Sequence, residues 1–314
     1  MVFIGLFALY AITKVVKNNQ GSRSFKTQIA SVDTAQVQAI VLYPQIEQQK
    51  EIKFTRSKQG WMAQQGKVQA AAENGKIVGL LADLRSVKPQ RLVANDQSKW
   101  ATYQLTDSLC TRIKLLGSKG EELMTLLVGK AGTGGESFVR LPNDNEIYSV
   151  GNSLATNANK TFSNWRNQDV LTFIDKQVDK ITFTYPADSS LTIAKEANGW
   201  IIGGAESMQA DSSLVAQYLN GISAKRSDQF VDGFTPQKAP TYILQLSGKG
   251  FVVGGKLTPQ IIVQGFEANN EVYIRTSFNP NALFVGKASG LFQSIFKSRA
   301  DFIKKEIPKE GEEK

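Results

Sequence analysis

Marker residues recur along this chain at intervals that shrink steadily, and that constrains its fold more than any other feature. Pro44 and Pro186 lie 142 residues apart, Trp61 and Trp200 139, and Leu81 and Leu219 138. Val93 and Val231 also lie 138 apart, Arg140 and Arg275 135, and Arg166 and Arg299 133. Chance matches would scatter, whereas tandem duplication followed by small loop deletions gives a one-way drift. The sequence therefore predicts two copies of one module, at 37–171 and 178–303, each of ordinary domain size.

In the first copy VQAIVLYP (Val37 to Pro44) and EIKFT (Glu51 to Thr55) read as strands, and a Gly60-Trp61 corner leads into a third. Ile77, Leu80, Leu81, Leu84 and Val87 then fall on one face of a helix, with Pro89 just beyond it. TRIKLLG, ELMTLLVG, SFVRL and EIYSVG read as a run of antiparallel strands, and the stretch after Asn152 as a helix ending at Trp165-Arg166. The second copy repeats the order. VDKITFTYP and LTIAKEANGW, with its corner at Gly199-Trp200, precede a helix bearing Val215, Tyr218, Leu219 and Ile222 on one face. The strands YILQLSGKG, VYIRT and ALFVG follow. Period-two strands with helices between sets, rather than after every strand, predict an α+β fold. The expected architecture is two tandem modules of antiparallel sheet with helices packed on one face, after an N-terminal apolar helix.

That helix is read from Met1 to Thr13 (MVFIGLFALYAIT), which Lys14 interrupts, Val15 and Val16 extend and Lys17 ends. Sixteen helical residues span about 24 Å, short of the ~30 Å hydrocarbon core. A terminal segment apolar on every face is not a core helix, so 1–17 is expected to be a membrane anchor or export signal. No basic residue precedes it, and there is neither an A-x-A site nor a lipobox cysteine. Lys14, Lys17, Arg23 and Lys26 follow, which alone would keep the body in the cytoplasm. A start codon placed slightly too late would account for the short span and the missing lysines, so orientation stays open at this point. Residues 18–36 read as a polar tether and 304–314 as a charged tail.

Composition narrows the chemistry. The chain has no histidine, which removes Ser-His and Cys-His nucleophilic systems and most zinc sites while leaving carboxylate, lysine or tyrosine mechanisms open. Its lone cysteine, Cys110, forbids an intrachain disulfide and reads as a small packed residue. The net charge of +9 comes from Lys and Arg mixed with acids, not from a basic tract with interleaved aromatics. That predicts a solvated basic surface, or attraction to anionic lipid or glycan, and no nucleic acid.

No catalytic, cofactor-binding or metal-binding residue stands out, and no cofactor is expected. Gly129 to Gly135 (GKAGTGG) is glycine-rich, but Lys130 comes too early for a phosphate loop and the strand SFVRL follows, so it reads as a hairpin connection. Trp61 and Trp200 read as core aromatics rather than sugar-stacking platforms. Arg166 with Asp169, and Arg299 with Asp301, read as local ion pairs bracing the end of each module. Tyr43-Pro44 and Tyr185-Pro186 read as strand ends.

The ordered set of markers resembles the DUF4340 family over roughly residues 37–303. The corners Gly60-Trp61 and Gly199-Trp200, the helix start Ala210-Asp211, the late strands Phe138-Val139-Arg140 and Tyr273-Ile274-Arg275, and the closing pairs Arg166/Asp169 and Arg299/Asp301 carry the resemblance. It departs at Tyr103-Gln104-Leu105, where the family often has a central glycine, and at Gly233-Phe234-Thr235-Pro236, where the element is nearly gone. The resemblance implies a Bacteroidota-type protein with one N-terminal anchor, a body outside the cytoplasm, and kinship with the extracytoplasmic part of gliding-motility-type ABC systems. Asp33-Thr34-Ala35 and Asp107-Ser108-Leu109 also fit the short O-glycosylation pattern of one bacterial phylum. The expected function is a single-pass inner-membrane scaffold or accessory protein whose periplasmic body docks an unidentified envelope protein, such as a transport system, without catalysis. The alternative is an exported glycan- or lipid-binding module using a groove between the two repeats. A carboxylate-based hydrolase is the remaining enzyme reading.

Overall fold

The computed structural model describes residues 26–187, 189–204 and 207–304, so the expected N-terminal helix lies outside the described residues. The chain begins with β1 (Ala30–Ser31) and β2 (Ala39–Tyr43), then the meander β3 (Ile52–Ser57), β4 (Gly60–Gln65) and β5 (Val68–Ala71). Helix α1 (Asn74–Leu84) leads to β6 (Ser86–Val87), β7 (Pro89–Ala94), β8 (Thr111–Leu116), β9 (Glu122–Ala131), β10 (Ser137–Arg140) and β11 (Ile147–Val150). Two short helices, α2 (Leu154–Ala158) and α3 (Phe162–Trp165), come next. The remainder is β12 (Asp169–Thr172), β13 (Val178–Thr184), β14 (Leu191–Glu196), β15 (Gly199–Gly203), β16 (Met208–Gln209), α4 (Ser212–Ile222) and β17 (Ala224–Arg226). The chain closes with β18 (Tyr242–Val253), β19 (Lys256–Ala268), β20 (Glu271–Thr276), β21 (Asn279–Val285) and α5 (Leu291–Ile295). The strands form antiparallel ladders in two large sheets, as the α+β reading requires.

The described residues form two compact units: those up to Lys50 with Val78–Asn159, and Glu51–Ile77 with those from Lys160 onward. In the first unit the strands run β2-β8-β9-β10-β11-β7, and β1 pairs with β6. Strand alternation does the sorting: Ile113 and Leu115 of β8 are fully buried, while the alternating Arg112 and Lys114 point to the half-exposed face. Leu105, Cys110, Leu127, Phe138 and Ile147 pack together beneath.

In the second unit β5-β4-β3 is a three-stranded run, and eight strands follow the order β16-β15-β14-β13-β18-β19-β20-β21. The core gathers Phe183, Ile193, Trp200, Val215, Leu219, Leu246, Val263, Ile274 and Phe302, among others. Helix α4 starts where sequence placed it. The Asp211 carboxylate accepts from the backbone N–H groups of Ser213 (2.8 Å) and Leu214 (3.2 Å), satisfying two donors that a helix start leaves open. Its face Val215, Tyr218, Leu219 and Ile222 is buried.

Several expectations change. Val87 lies past the end of α1, in β6; it is buried with the helix face but reaches the core as a strand residue. The helical stretch after Asn152 is two short helices, because Asn159 leaves helical geometry (φ −89°, ψ 70°). Strand β19, thirteen residues long, was not anticipated.

Candidate functional site

In the first unit, antiparallel register sets Arg112 of β8, Leu127 of β9 and Arg140 of β10 in one cross-strand row, with Lys114 beside Thr125 in the next. These side chains floor an open cleft of about 410 Å³, walled by Trp100 and Asp107 from the β7–β8 connection and by Pro142. Arg140 is its unusual member. Only 2% exposed, it donates to the backbone carbonyls of Leu105 (2.9 Å), Leu141 (3.2 Å) and Pro142 (3.0 Å). Its guanidinium carbon lies 3.6 Å from the Trp100 ring centroid, and Trp100 Nε1 donates to Asn145 O (3.3 Å). Burial pushes the Arg140 pKa below its ordinary value, and the nearby Asp107 carboxylate opposes that. Asp107 itself bonds Arg112 (3.1 Å). The cleft thus has a braced arginine at its back, Lys114 and Arg112 along its floor, and a buried Thr125 hydroxyl that no described group bonds. Glu122 and Asp107 also line it, so it offers polar, mixed-charge recognition over an aromatic wall.

In the second unit Arg166 does the comparable bracing. It is 2% exposed, and its Nη1 donates to both Asp232 oxygens (3.0 and 2.9 Å). The Phe230 ring lies 3.7 Å from the guanidinium carbon, with Phe162 at 5.3 Å. Burial lowers the Arg166 pKa, while Asp232 opposes the shift through its charge and hydrogen bond. This corrects the expected Arg166/Asp169 pair. Asp169 instead bonds Arg226 (3.0 Å), which also bonds Glu73. The reason is backbone direction: Arg166 follows α3 in extended geometry, and its side chain runs into the Phe230–Asp232 segment. Arg299 reaches the Met208 sulfur (3.3 Å), and the Asp301 carboxylate accepts from Ser298 N and Oγ as a cap of its own turn.

The remaining expected positions resolve individually. Trp61 and Trp200 are 6% and 8% exposed, so neither ring is open as a stacking platform, and the Arg56 guanidinium covers Trp61 at 4.8 Å. The GKAGTGG segment ends β9 with Gly129, Lys130 and Ala131, and its remaining residues turn toward β10. Its Gly129 is a close approach: a Cβ there would sit 2.1 Å from the Tyr103 carbonyl oxygen. Cys110 is fully buried, which raises its pKa. Tyr43 is the last residue of β2. Tyr185 follows β13, and its hydroxyl donates to Lys297 O (2.6 Å). The Trp100–Arg140 stack and Asp107's role are absent from the sequence reading. The sequence signal is a late-strand arginine, Arg140, which marks both the duplication and the family resemblance.

Among the described residues no group of three or more His, Cys, Asp or Glu could hold a metal ion, and no helix is long and apolar enough to cross a membrane. The family described as "Domain of unknown function (DUF4340)" matches residues 61–246, more than half the chain. The chain belongs to the DUF4340 family. The DUF4340 match opens at Trp61 in β4 and closes at Leu246 in β18, taking in the Arg140 cleft and the Arg166–Asp232 brace. No curated protein and no solved structure matches the chain.

Proposed function

We propose that this DUF4340 protein is a single-pass inner-membrane scaffold or accessory protein whose body, outside the cytoplasm, docks an envelope protein such as a transport system. One observation carries the reading: the side chains that mark the family pattern are spent on internal bracing. Trp61 and Trp200 are buried, Arg140 binds three backbone carbonyls, and Arg166 is locked to Asp232. Such chemistry holds each unit rigid, and a rigid unit on a tether presents surface to a partner at low entropic cost. The apolar segment 1–17 supplies the anchor and 18–36 the tether, and the family resemblance supplies the exported orientation, the Bacteroidota-type source and the transporter as partner class.

Tandem duplication belongs to the same reading. Gly60 and Gly199 open β4 and β15 with φ of +118° and +124°, and each is followed by its buried tryptophan. Trp61 O and Trp200 O accept from Ala72 N (2.8 Å) and Ala210 N (2.9 Å), two donors just ahead of α1 and α4. The ladder β2-β8-β9-β10-β11 has the connectivity of β13-β18-β19-β20-β21.

A C-terminal alkaline phosphatase fusion to the full chain tests tether and orientation together. Activity in a carbonate-resistant membrane pellet is expected; an inactive fusion in the soluble fraction would discard the proposal. Photocrosslinkers at the exposed Val78 and Leu92 test docking, with one membrane-protein adduct as the expected product and no adduct as the adverse one.

A further inference from the structure

Strands β18 and β19 run on together beyond their neighbours. β13 accompanies β18 only as far as Gly248, opposite Val178, and β20 accompanies β19 only from Val263, opposite Thr276. Past those points the pairs Phe251–Thr258, Val252–Leu257 and Val253–Lys256 form a two-stranded ribbon with no flanking strand among the described residues. Gly254 and Gly255, at φ +57° and +75°, close it in the positive-φ geometry that tight hairpins need. From Gly248 to Val253 the ribbon reaches about 15 Å.

Its two faces differ. Phe251 is 1% exposed, with its ring 6.4 Å from Phe173, so that face belongs to the core. On the other face Val252 and Leu257, direct cross-strand partners, are 59% and 77% exposed. Single exposed aliphatics are ordinary, but two opposed at the end of a projecting ribbon form a wedge. The charge carried by the ribbon itself has one sign. From Gly233 to Phe266 the chain carries Lys238, Lys249 and Lys256 and neither Asp nor Glu, and Lys249 and Lys256 are exposed. At the ribbon's base Asp175 and Lys176, and the exposed Asp179 and Lys180 of β13, offset each other in charge.

We propose that this tip inserts Val252 and Leu257 into an anionic lipid surface, with Lys249 and Lys256 at the phosphate level. An apolar wedge on a tip that carries two lysines and no acid of its own has the complementarity of such an interface, where aliphatics enter the acyl boundary and lysines pair with headgroups. The proposal does not require a docked protein, and its test holds the tether constant.

The full chain carrying Leu257→Cys is labelled with an environment-sensitive nitrobenzoxadiazole dye; the buried Cys110 stays unlabelled in the folded protein. It is reconstituted into vesicles of phosphatidylcholine alone or of phosphatidylcholine with phosphatidylglycerol, so the N-terminal segment is common to both. The expected result is a blue shift and protection from iodide quenching in the phosphatidylglycerol vesicles only. With K249Q/K256Q the insertion equilibrium constant should fall roughly thirtyfold, while the same dye at Leu92→Cys does not respond. An equal response in both lipids would overturn the proposal. So would a probe silent on both vesicles that shifts only when membrane-protein extract is added, which would assign the wedge to a protein groove.

Discussion

Replacing Arg140 with methionine keeps an unbranched stem against the Trp100 ring and removes the guanidinium, so the change isolates what the buried cation contributes. Three backbone acceptors lose their donor: Leu105 O, which is deeply placed, and Leu141 O and Pro142 O, which are part-buried. A hydrogen bond from a charged group is worth about 1.5–3 kcal/mol net when its partner stays dry. We count that in full only for Leu105 O, because water can reach the other two. The stacking of a desolvated cation at 3.6 Å adds about 2 kcal/mol, of which a methionine sulfur recovers part. Asp107 lies 3.8 Å away with a side chain 76% exposed, and adds little. Relief of the buried charge works in the opposite direction. The expected net loss is about 3 kcal/mol. Arg140→Lys should cost nearly as much, since one ammonium cannot span three carbonyls held by a planar fork. Cys110 provides the local assay, because it packs beside Leu105 and is fully buried. Under native conditions a thiol reagent should reach it about a hundredfold faster in Arg140→Met, as a population shift of that size demands. Urea unfolding of the same variant should show the loss directly. A cost below about 1 kcal/mol with unchanged thiol protection would mean that the guanidinium is not the brace described.

Other perturbations test separate parts of the structure. Gly129→Ala forces a Cβ to 2.1 Å from Tyr103 O and 2.9 Å from Leu105 Cγ, and should cost about 2–3 kcal/mol, read as a lower melting temperature. Gln104, exposed and at φ +57°, sits in left-handed geometry, so Gln104→Gly should raise stability by about 0.5 kcal/mol once glycine's unfolded-state freedom is subtracted; destabilisation would contradict it. Burial alone would raise the Glu271 carboxyl. The N–H groups of Val272, Ala288 and Lys287, with the Lys287 charge, instead hold it below its ordinary 4.5. A depressed carboxyl stabilises the fold above that pH and loses its contribution as pH falls through the folded-state value, so Glu271→Gln should flatten the acid limb of a stability–pH curve.

The fold was largely legible because its signals are local. Period-two alternation placed β2, β8, β9 and β13, and three–four spacing identified the buried face of α4. The site was less so, because its partners are distant. Arg166 and Asp169 are three positions apart and opposite in charge, which invites a local pair, yet each finds its partner at Asp232 or Arg226. No spacing rule reports that choice, which depends on where Phe230 lies. Strand β19 escaped notice for a local reason. Pro259 interrupts its pattern, and the sheet tolerates it because it lies on the free ribbon beside a register shift, where no flanking strand needs its missing N–H. Gln104 shows the converse: the family's habit of glycine at that position anticipated a left-handed backbone that this chain adopts without one.

The discontinuous second unit also sets an order of events during synthesis. Phe54 packs its ring 5.2 Å from Trp165, Ala72 bridges Arg166, and Glu73 N donates to Trp165 O (2.8 Å). The strands of 51–77 therefore emerge about ninety residues before their cover, a delay of roughly 5–20 s at ordinary elongation rates. During that interval Phe54 and Trp61 have no lasting burial, and the nascent chain carries a sticky sheet face through whatever conduit it travels. Chaperone demand should accordingly peak when about 160 residues have been made and fall once α3 is complete. Stalled chains released on either side of that length would differ in how tightly a holdase retains them.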